Sequence, residues 1–346
     1  MSEDVIQLGA ARIAEHVTRH EISAVAITFH GGEPLLAGPK RIEYYARLLH
    51  EAVPCQIEFG IQTNGTLVTE EILNTLVRRN IRVGISIDGD RTANDLNRRY
   101  RNGTSSYDAV HRGIALIRSR PEWERLLGGF LIVVDLRNDP DDVYQAMLDL
   151  GATSIDLLLP DWHHDAPPPR PAGRSASTVY GQWLSSFFHR WYSEQPNIEL
   201  RFFDEIITLM LGGPSAFEAL GAKSVDLIVV ETDGDIEAVD TLKIVGRHAT
   251  SLGMNVRNNS FDDALAHPAI YSRMMGYNAL CSTCRECPEL KNCGGGYLPH
   301  RYGRGNGFLN ASVYCEDLKH LFSQIRTRIQ RDLAAANRNA RYNVTG

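Results

Sequence analysis

Short apolar runs alternate with longer amphipathic stretches through the first half of the chain. The apolar runs predict five strands, at residues 24–29, 57–62, 83–87, 130–134 and 155–159. The amphipathic stretches predict helices at residues 2–19, 41–52, 70–79, 106–119 and 140–150, and Ser2 is suited to cap the first of them. Continuous apolar strands that alternate with helices are typical of a parallel sheet covered by helices. The pattern therefore predicts an α/β fold.

The regular alternation ends near residue 160. A proline-rich segment at residues 165–171 predicts a loop or crossover able to cover a site. The aromatic-rich stretch at residues 179–192 predicts a helix whose aromatic side chains pack in the core. Two short runs at residues 227–231 and 235–239 flank an Asp-Gly turn and predict a β-hairpin. Further helices are predicted at residues 205–211, at residues 261–277 and from residue 315 to about residue 337.

Small polar groups and glycines follow three successive strands. They form the segments Gly31-Gly32-Glu33-Pro34, Gln62-Thr63-Asn64-Gly65 and Ser86-Ile87-Asp88-Gly89. The carboxyl ends of parallel strands are where α/β barrels and open α/β sheets place their ligand sites. Each segment alone also fits a tight turn. Three in succession favour a ligand site, in which the carboxylate of Glu33 would suit an ammonium group.

Composition and charge exclude several classes of partner. The chain has 346 residues, of which 43% are hydrophobic and 23% charged, which suits one large domain and one smaller one. The formal net charge of -6 argues against a nucleic-acid partner. No apolar run reaches membrane-spanning length, and the acidic start Met1-Ser2-Glu3-Asp4 does not fit a secretory signal. We therefore expect a cytoplasmic protein without nucleic-acid or membrane partners.

Five of the six cysteines lie between Cys281 and Cys315. The segment begins CSTCRECPELKNC, so Cys284 and Cys287 are two residues apart and Cys293 follows after a short loop. Four thiolates suit a structural zinc or an iron–sulfur cluster. Three bunched ligands and a distant fourth favour the iron–sulfur cluster, and disulfides fit least well. A metal staple without chemistry of its own remains an alternative.

The order of these motifs resembles that of radical SAM enzymes that carry a SPASM domain. GGEP, QTNG and SIDG precede a cysteine-rich tail, as in the sulfatase-maturating enzymes and the peptide-modifying maturases. The closer likeness is to maturases that form cyclophane crosslinks in ribosomal peptides. It is carried by HGGEPLLAG, DLNRRYRNGTSSY, ETDGDIEAVD and CGGGYLPHRYGRGNGFLNASVYC.

The resemblance implies a partial (β/α)6 radical SAM barrel that lacks its first strand, with a C-terminal SPASM or twitch-like domain. The implied divisions are a partial barrel at residues 1–165, a helical connector and barrel completion at 166–225, an iron–sulfur domain at 226–335 and a polar tail at 336–346.

The resemblance also implies roles for individual residues. Gly31, Gly32, Glu33 and Pro34 match the loop that holds the amino group of S-adenosylmethionine, and Ser86 matches a residue near its ribose. Arg98 stands at the spacing of an arginine that pairs with the methionine carboxylate. The four ligands of the outer auxiliary [4Fe-4S] cluster are matched by Cys284, Cys287, Cys293 and Cys315. His300 and Arg301 lie in the loop of that cluster and are read as structural.

One departure from the family concerns a second auxiliary cluster. Val239 stands where sulfatase-maturating relatives have a cysteine ligand, so we expect one auxiliary cluster rather than two. The next residue, Asp240, matches the proposed proton acceptor of those relatives. A carboxylate is suited to that role. An exposed acid at a strand end is an equally good interpretation of Asp240.

The other departure concerns the CxxxCxxC loop, whose thiolates hold the cluster that binds S-adenosylmethionine. No cysteine precedes Cys55, which lies after GGEP. Either the true start lies upstream of Met1 or catalysis has been lost. The first explanation is favoured because Glu33, Ser86 and Arg98 remain. A second [4Fe-4S] cluster is expected only if the upstream motif exists, and these 346 residues should not cleave S-adenosylmethionine reductively.

The resulting hypothesis is a maturase that abstracts a hydrogen atom from a side chain of a ribosomally made peptide or protein, for crosslinking or oxidation. Its expected partners are that precursor and a reducing electron donor. The alternatives are an inactive iron–sulfur peptide-binding homologue and a zinc-stapled α/β protein.

Overall fold

The computed structural model describes residues 1–171, 176–194, 197–215, 217–221, 227–246 and 248–344, without the side chains of 176, 272, 273 and 337–344. Its strands are β1 Ala24–Phe29, β2 Gln56–Thr63, β3 Ile81–Ser86, β4 Leu127–Val133, β5 Ser154–Leu158, β6 Glu199–Leu200, β7 Val229–Val230, β8 Asp235–Glu237 and β9 Ser251–Asn255. Its longer helices are α1 Glu3–Arg19, α2 Pro39–Ala52, α3 Glu70–Arg78, α5 Tyr107–Arg118, α7 Pro140–Asp149, α8 Val179–Glu194, α9 Arg201–Met210 and α14 Cys315–Val344. Its shorter helices are α4 Arg91–Asn97, α6 Trp123–Leu126, α10 Phe261–Ala266, α11 Pro268–Met274, α12 Ser282–Arg285 and α13 Leu290–Cys293.

The first six strands form one parallel sheet in the order β1-β2-β3-β4-β5-β6. Each strand lies beside the next one in the chain, which is the order of a partial barrel. Within the described residues the sheet stays open, because β1 does not pair with β6. The predicted α/β class and the five predicted strands are confirmed. The two-residue strand β6 was not predicted, because it is too short to show periodicity.

The predicted helices follow the sequence signals closely. Oγ of Ser2 accepts a hydrogen bond from the backbone N of Val5, so Ser2 caps α1 as expected. The aromatic side chains of α8 pack in the main core, where Phe187 and Phe188 are fully buried and Trp183 nearly so. Helix α14 packs against α8 and covers the same core. None of the described helices is long and apolar enough to cross a membrane.

A smaller antiparallel sheet follows the parallel one. Strands β7 and β8 form the predicted hairpin, and β9 adds a third strand that was not predicted.

The helix predicted at residues 261–277 is wrong as a single element. It breaks between α10 and α11, because a proline disfavours a helical conformation of the residue before it and His267 is extended. A second hydrophobic cluster joins β8, β9, α10 and α11 to Val5 of α1.

Candidate active site

The loops after β1 and β2 meet at the carboxyl edge of the parallel sheet. Glu33 Oε1 accepts hydrogen bonds from Thr63 Oγ1 at 2.7 Å and from the backbone N of Leu35 at 3.0 Å. Its other oxygen, Oε2, accepts one from the backbone N of Asn64 at 2.9 Å. The side chain of Glu33 therefore ties the first predicted loop to the second.

Glu33 keeps some capacity for a ligand. An ionised carboxylate offers about four acceptor positions, and the described residues use three of them. The backbone of Gly31 has φ 121°, which favours glycine, and a Cβ built there would touch nothing within 4 Å. Gly31 and Gly32 are exposed, so this loop offers open backbone next to an oriented carboxylate.

The loop after β3 joins the same edge through a side chain of β2. Gln62 Nε2 donates a hydrogen bond to Ser86 Oγ at 3.0 Å. The Gln62 side chain crosses directly over Gly84, where an added Cβ would lie 2.1 Å from Gln62 Oε1. Gly84 thus allows the close approach that connects the ends of β2 and β3.

Arg98 lies at the end of α4 and points at Asp88. Its Nε and Nη2 contact the two carboxylate oxygens of Asp88 at 2.7 and 3.0 Å. Asp88 is 2% exposed, and its Oδ1 also accepts a hydrogen bond from the backbone N of Val133. The structure thus brings Arg98 to the loop after β3. There its Nη1 has no partner among the described residues.

Asp240 approaches this edge from the smaller sheet. It begins a short 3₁₀ helix, Asp240–Val245, and its Oδ2 lies 3.9 Å from Nδ1 of His30, the residue before Gly31. Burial and the nearby charge of Asp240 raise the pKa of Asp161 to about 6. Asp161 follows β5, so two carboxylates from different parts of the chain lie close enough at this edge for their charges to interact.

His300 lies behind Asp161 and is 3% exposed. Burial lowers the pKa of His300 to about 3, although a hydrogen bond to the Pro160 carbonyl acts in the other direction. Its Nε2 lies 4.0 Å from Asp161 Oδ1 and has no hydrogen-bond partner among the described residues. The neutral imidazole of His300 is therefore part of the same polar group as Asp161 and Asp240.

Sequence reasoning did not single out Asp161 or His30 and treated His300 as structural. Asp161 follows the carboxyl end of a predicted strand, as the three glycine-containing loops do. The same rule that selected those loops would have found it. The approach of Asp240 and His300 depends on long-range packing, which local patterns do not reveal.

Four cysteines line a single cavity beneath α14. They are Cys284, Cys287, Cys293 and Cys315, and the lining also includes Gly295, Leu318 and Phe322. All described cysteines are free thiols. Arg326 of α14 contacts both carboxylate oxygens of Glu289 at 2.7 Å and so holds the cysteine-bearing loops against the helix.

The thiols of this cavity perturb one another. Burial, followed by contact with Cys281 and the charges of Cys281 and Cys315, raises the pKa of Cys284 to about 12. Burial and neighbouring thiols also raise the pKa of Cys293 to about 12, against a hydrogen bond from Gly295. Such crowding is unfavourable for free thiolates and is relieved when a metal centre binds them.

Arg301 places a buried cation beside these thiols. It is 6% exposed, and its Nε and Nη1 lack hydrogen-bond partners among the described residues. A Cβ added to Gly295 would lie 3.3 Å from Nη1, so the guanidinium lies over the turn that follows Cys293. Burial lowers the pKa of Arg301, while the charges of Cys284, Cys281 and Cys293 raise it.

These residues fit an anionic thiolate-bound cluster. Four cysteines face one cavity, and an unpaired buried cation lies next to them, which would offset a negative charge. Cys281 contacts Cys284 but does not line the cavity. Cys55 lies just before β2, at the opposite edge of the sheet from the loops, and takes no part in either site.

Comparison with known proteins agrees with this architecture. Residues 3–150 match the family model of the radical SAM superfamily. The cysteine-type anaerobic sulfatase-maturating enzyme of Clostridium perfringens strain 13 is 22% identical over 95% of this chain and 88% of its own length. The serine-type enzyme of Bacteroides thetaiotaomicron is 23% identical over 90% of this chain and 78% of its own length.

Solved structures show the same fold. The structure described as native anSMEcpe with bound AdoMet superimposes with a TM-score of 0.81 at 21% identity, over 96% of this chain and 89% of the other. The same protein with AdoMet and the Cp18Cys peptide gives a TM-score of 0.82 over 98% and 91% of the two chains. Residues 3–150 therefore carry a radical SAM domain, and the chain is similar over most of its length to the anaerobic sulfatase-maturating enzymes.

Proposed function

We propose that this chain is a radical SAM/SPASM maturase that binds S-adenosylmethionine at the carboxyl edge of the parallel sheet and modifies a side chain of a peptide or protein. The observation that carries the proposal is the joining of three strand-end loops through Glu33 and Gln62. Two similar structures support it, because both hold AdoMet and one also holds a peptide.

In this proposal, each loop contacts a different part of S-adenosylmethionine. Backbone groups of Gly31 and Gly32 and the carboxylate of Glu33 bind the methionine ammonium group, and Pro34 fixes the end of that loop. Ser86 lies near the ribose. Arg98 binds the methionine carboxylate with the part of its guanidinium that Asp88 does not use.

The aspartate pair supplies the proton chemistry. S-adenosylmethionine bound at an iron–sulfur centre would supply the radical that removes a hydrogen atom from the substrate. We propose that Asp240 takes the proton when the resulting substrate radical is oxidised, with the auxiliary cluster as the electron acceptor. Burial and the charge of Asp240 raise the pKa of Asp161 to about 6, so Asp161 is a second group that can hold a proton near Asp240.

Cys284, Cys287, Cys293 and Cys315 would hold one auxiliary [4Fe-4S] cluster, with Arg301 as its buried counter-charge. These 346 residues contain no CxxxCxxC motif, so the thiolates for the radical-generating cluster are not among them. We further propose that the reaction forms a crosslink in a ribosomal peptide and that a separate protein or reductant donates the electron. The proposed domain boundaries lie at residues 165, 225 and 335.

Calorimetric titration of the anaerobically prepared chain with S-adenosylmethionine tests the proposal. We expect one site per chain, weakened at least tenfold in Glu33→Gln, because the amide loses negative charge and one acceptor. Glu51→Gln is the matched control, since Glu51 is an exposed acid at the end of α2. Equal affinity in the two variants, or no binding by the parent chain, would contradict the proposal.

Analysis of iron, sulfide and zinc distinguishes an iron–sulfur cluster from the main alternative, a structural zinc ion. About four iron and four sulfide per chain are expected after reconstitution. One zinc without sulfide in the cysteine cavity would instead support a zinc-stapled α/β protein. Cys293→Ser should lose the cluster and Cys55→Ser should keep it, because Cys293 lines the cavity and Cys55 does not.

A further inference from the structure

Two histidines and an aspartate converge where α1 meets α10, and none of the three lines the cysteine cavity. His16 and His20 are four residues apart, so they project from the same face of α1. Asp262 lies in the first turn of α10. One potential ligand atom from each residue lies within 4.8 Å of the other two.

Both imidazoles point at the same carboxylate oxygen. His16 Nδ1 lies 2.6 Å from Asp262 Oδ1, and His20 Nε2 lies 2.9 Å from the same atom. Without a metal, both nitrogens must carry hydrogen to make these contacts. A divalent cation bound between the three atoms replaces both hydrogens and leaves each imidazole neutral.

Arg19 binds the other oxygen of Asp262, and its Nη1 lies 2.6 Å from Oδ2. This contact fixes the carboxylate and leaves Oδ1 directed at the two imidazoles. Metal-binding carboxylates usually have such a hydrogen-bonded partner outside the ligand set.

We propose that His16, His20 and Asp262 bind a zinc ion. Two imidazole nitrogens four residues apart on a helix are a known zinc-binding arrangement, and one carboxylate oxygen completes a three-ligand set. Tetrahedral zinc with bonds of about 2.0–2.1 Å places its ligand atoms about 3.3 Å apart. The imidazole–carboxylate distances of 2.6 and 2.9 Å therefore need to lengthen only slightly. His20 is 48% exposed, so water can reach the fourth position. Nitrogen ligands exclude calcium and magnesium as preferred occupants.

The zinc ion would act as a staple between the two parts of the chain. Helix α1 contributes Ile6 and Ala10 to the core of the parallel sheet, whereas α10 contributes Phe261 and Ala264 to the second hydrophobic cluster. Metal binding at their contact stabilises the docked arrangement by mass action. This proposal does not depend on the activity proposed above.

Zinc titration of the full chain by calorimetry tests the site, with His16→Gln/His20→Gln as the variant and His50→Gln as the control. Every chain carries the same six cysteines, so zinc bound by thiolates cancels in the comparison. The parent and control chains should bind one more zinc per chain than the double variant. Equal stoichiometry in all three chains would overturn the proposal.

A single substitution keeps the test valid if the double variant folds poorly. His20→Gln removes a half-exposed side chain at the end of α1 and leaves the core untouched. It should weaken the additional site at least tenfold and abolish the rise in Tm that zinc produces in the parent chain. An unchanged affinity and an unchanged rise in Tm would overturn the proposal.

Discussion

Asp161 combines burial with a like-charged neighbour, which makes its ionisation costly in the folded chain. Its pKa is raised from 3.8 to about 6, first by burial and then by the charge of Asp240. Between these two values the folded chain binds more protons than the unfolded chain. The stability contributed by Asp161 is therefore complete below about pH 4 and is lost as the pH rises through about 6.

Asp161→Asn replaces the carboxyl group by an amide, which is neutral at every pH. We expect the variant to have a higher Tm than the parent chain above about pH 6.5, with the difference shrinking towards about pH 4. Thermal unfolding across this range measures it. Asp142→Asn, at an exposed acid in the first turn of α7, should show no comparable trend. A Tm difference for Asp161→Asn that is constant with pH would contradict the assignment.

Arg301 gives a second prediction at the residue scale, and it rests on the proposed cluster. Its unpaired Nε and Nη1 lie beside the cysteine cavity, and a buried positive charge favours the more negative, reduced cluster. Arg301→Met should therefore make the cluster harder to reduce. We expect a tenfold shift of the reduction equilibrium, or about 59 mV for one electron, in an EPR-monitored redox titration.

The control for this experiment is Arg304→Met, which removes the same charge from an exposed position in the same loop. Iron content is measured in both variants, so that loss of the cluster is distinguished from a change in its potential. Similar potentials in the two iron-loaded variants would show that Arg301 does not act on the cluster.

Among the elements, the contact between α8 and α14 depends on one glycine. The backbone N of Gly181 donates to Asp317 Oδ1 at 2.9 Å, and Asp317 is fully buried and paired with Arg170. A Cβ at Gly181 would lie 2.3 Å from the backbone O of Asp317. The two helices cannot keep this distance with any other residue at that position.

Gly181→Ala should destabilise the fold by roughly 1–3 kcal/mol, because the obstructing atoms belong to the backbone. Gly9→Ala is the matched comparison, since Gly9 lies inside α1 with nothing within 4 Å of an added Cβ. It should stabilise the chain by up to about 1 kcal/mol through helix propensity. Denaturant unfolding measures both effects, and equal effects in the two variants would contradict this packing.

Periodicity and capping predicted the long elements well, and the misses have physical causes. Ser2 and the apolar run at Ala24–Phe29 fixed their elements almost to the residue. Strand β6 contains two residues, which is too few to show a period. The break at Pro268 was readable from the sequence, but the apolar spacing on both sides of it concealed the end of α10.

At the scale of the whole molecule, the site could be predicted because successive strands of the main sheet are parallel neighbours. Since strands β1, β2 and β3 are adjacent and parallel, the loops that follow them share one edge. Contacts that cross between the two sheets were beyond sequence reasoning. The approach of Asp240 to His30 and the convergence of His16, His20 and Asp262 are set by tertiary packing alone.

Hydrogen–deuterium exchange with and without S-adenosylmethionine tests most directly whether the strand-end loops form one ligand site. The structure joins residues 31–34, 62–65 and 86–89 through side-chain hydrogen bonds, so ligand binding should protect all three segments together. Exchange in β9 should stay unchanged, because that strand lies in the smaller sheet. Protection confined to other segments, or no protection in any of the three loops, would contradict the account.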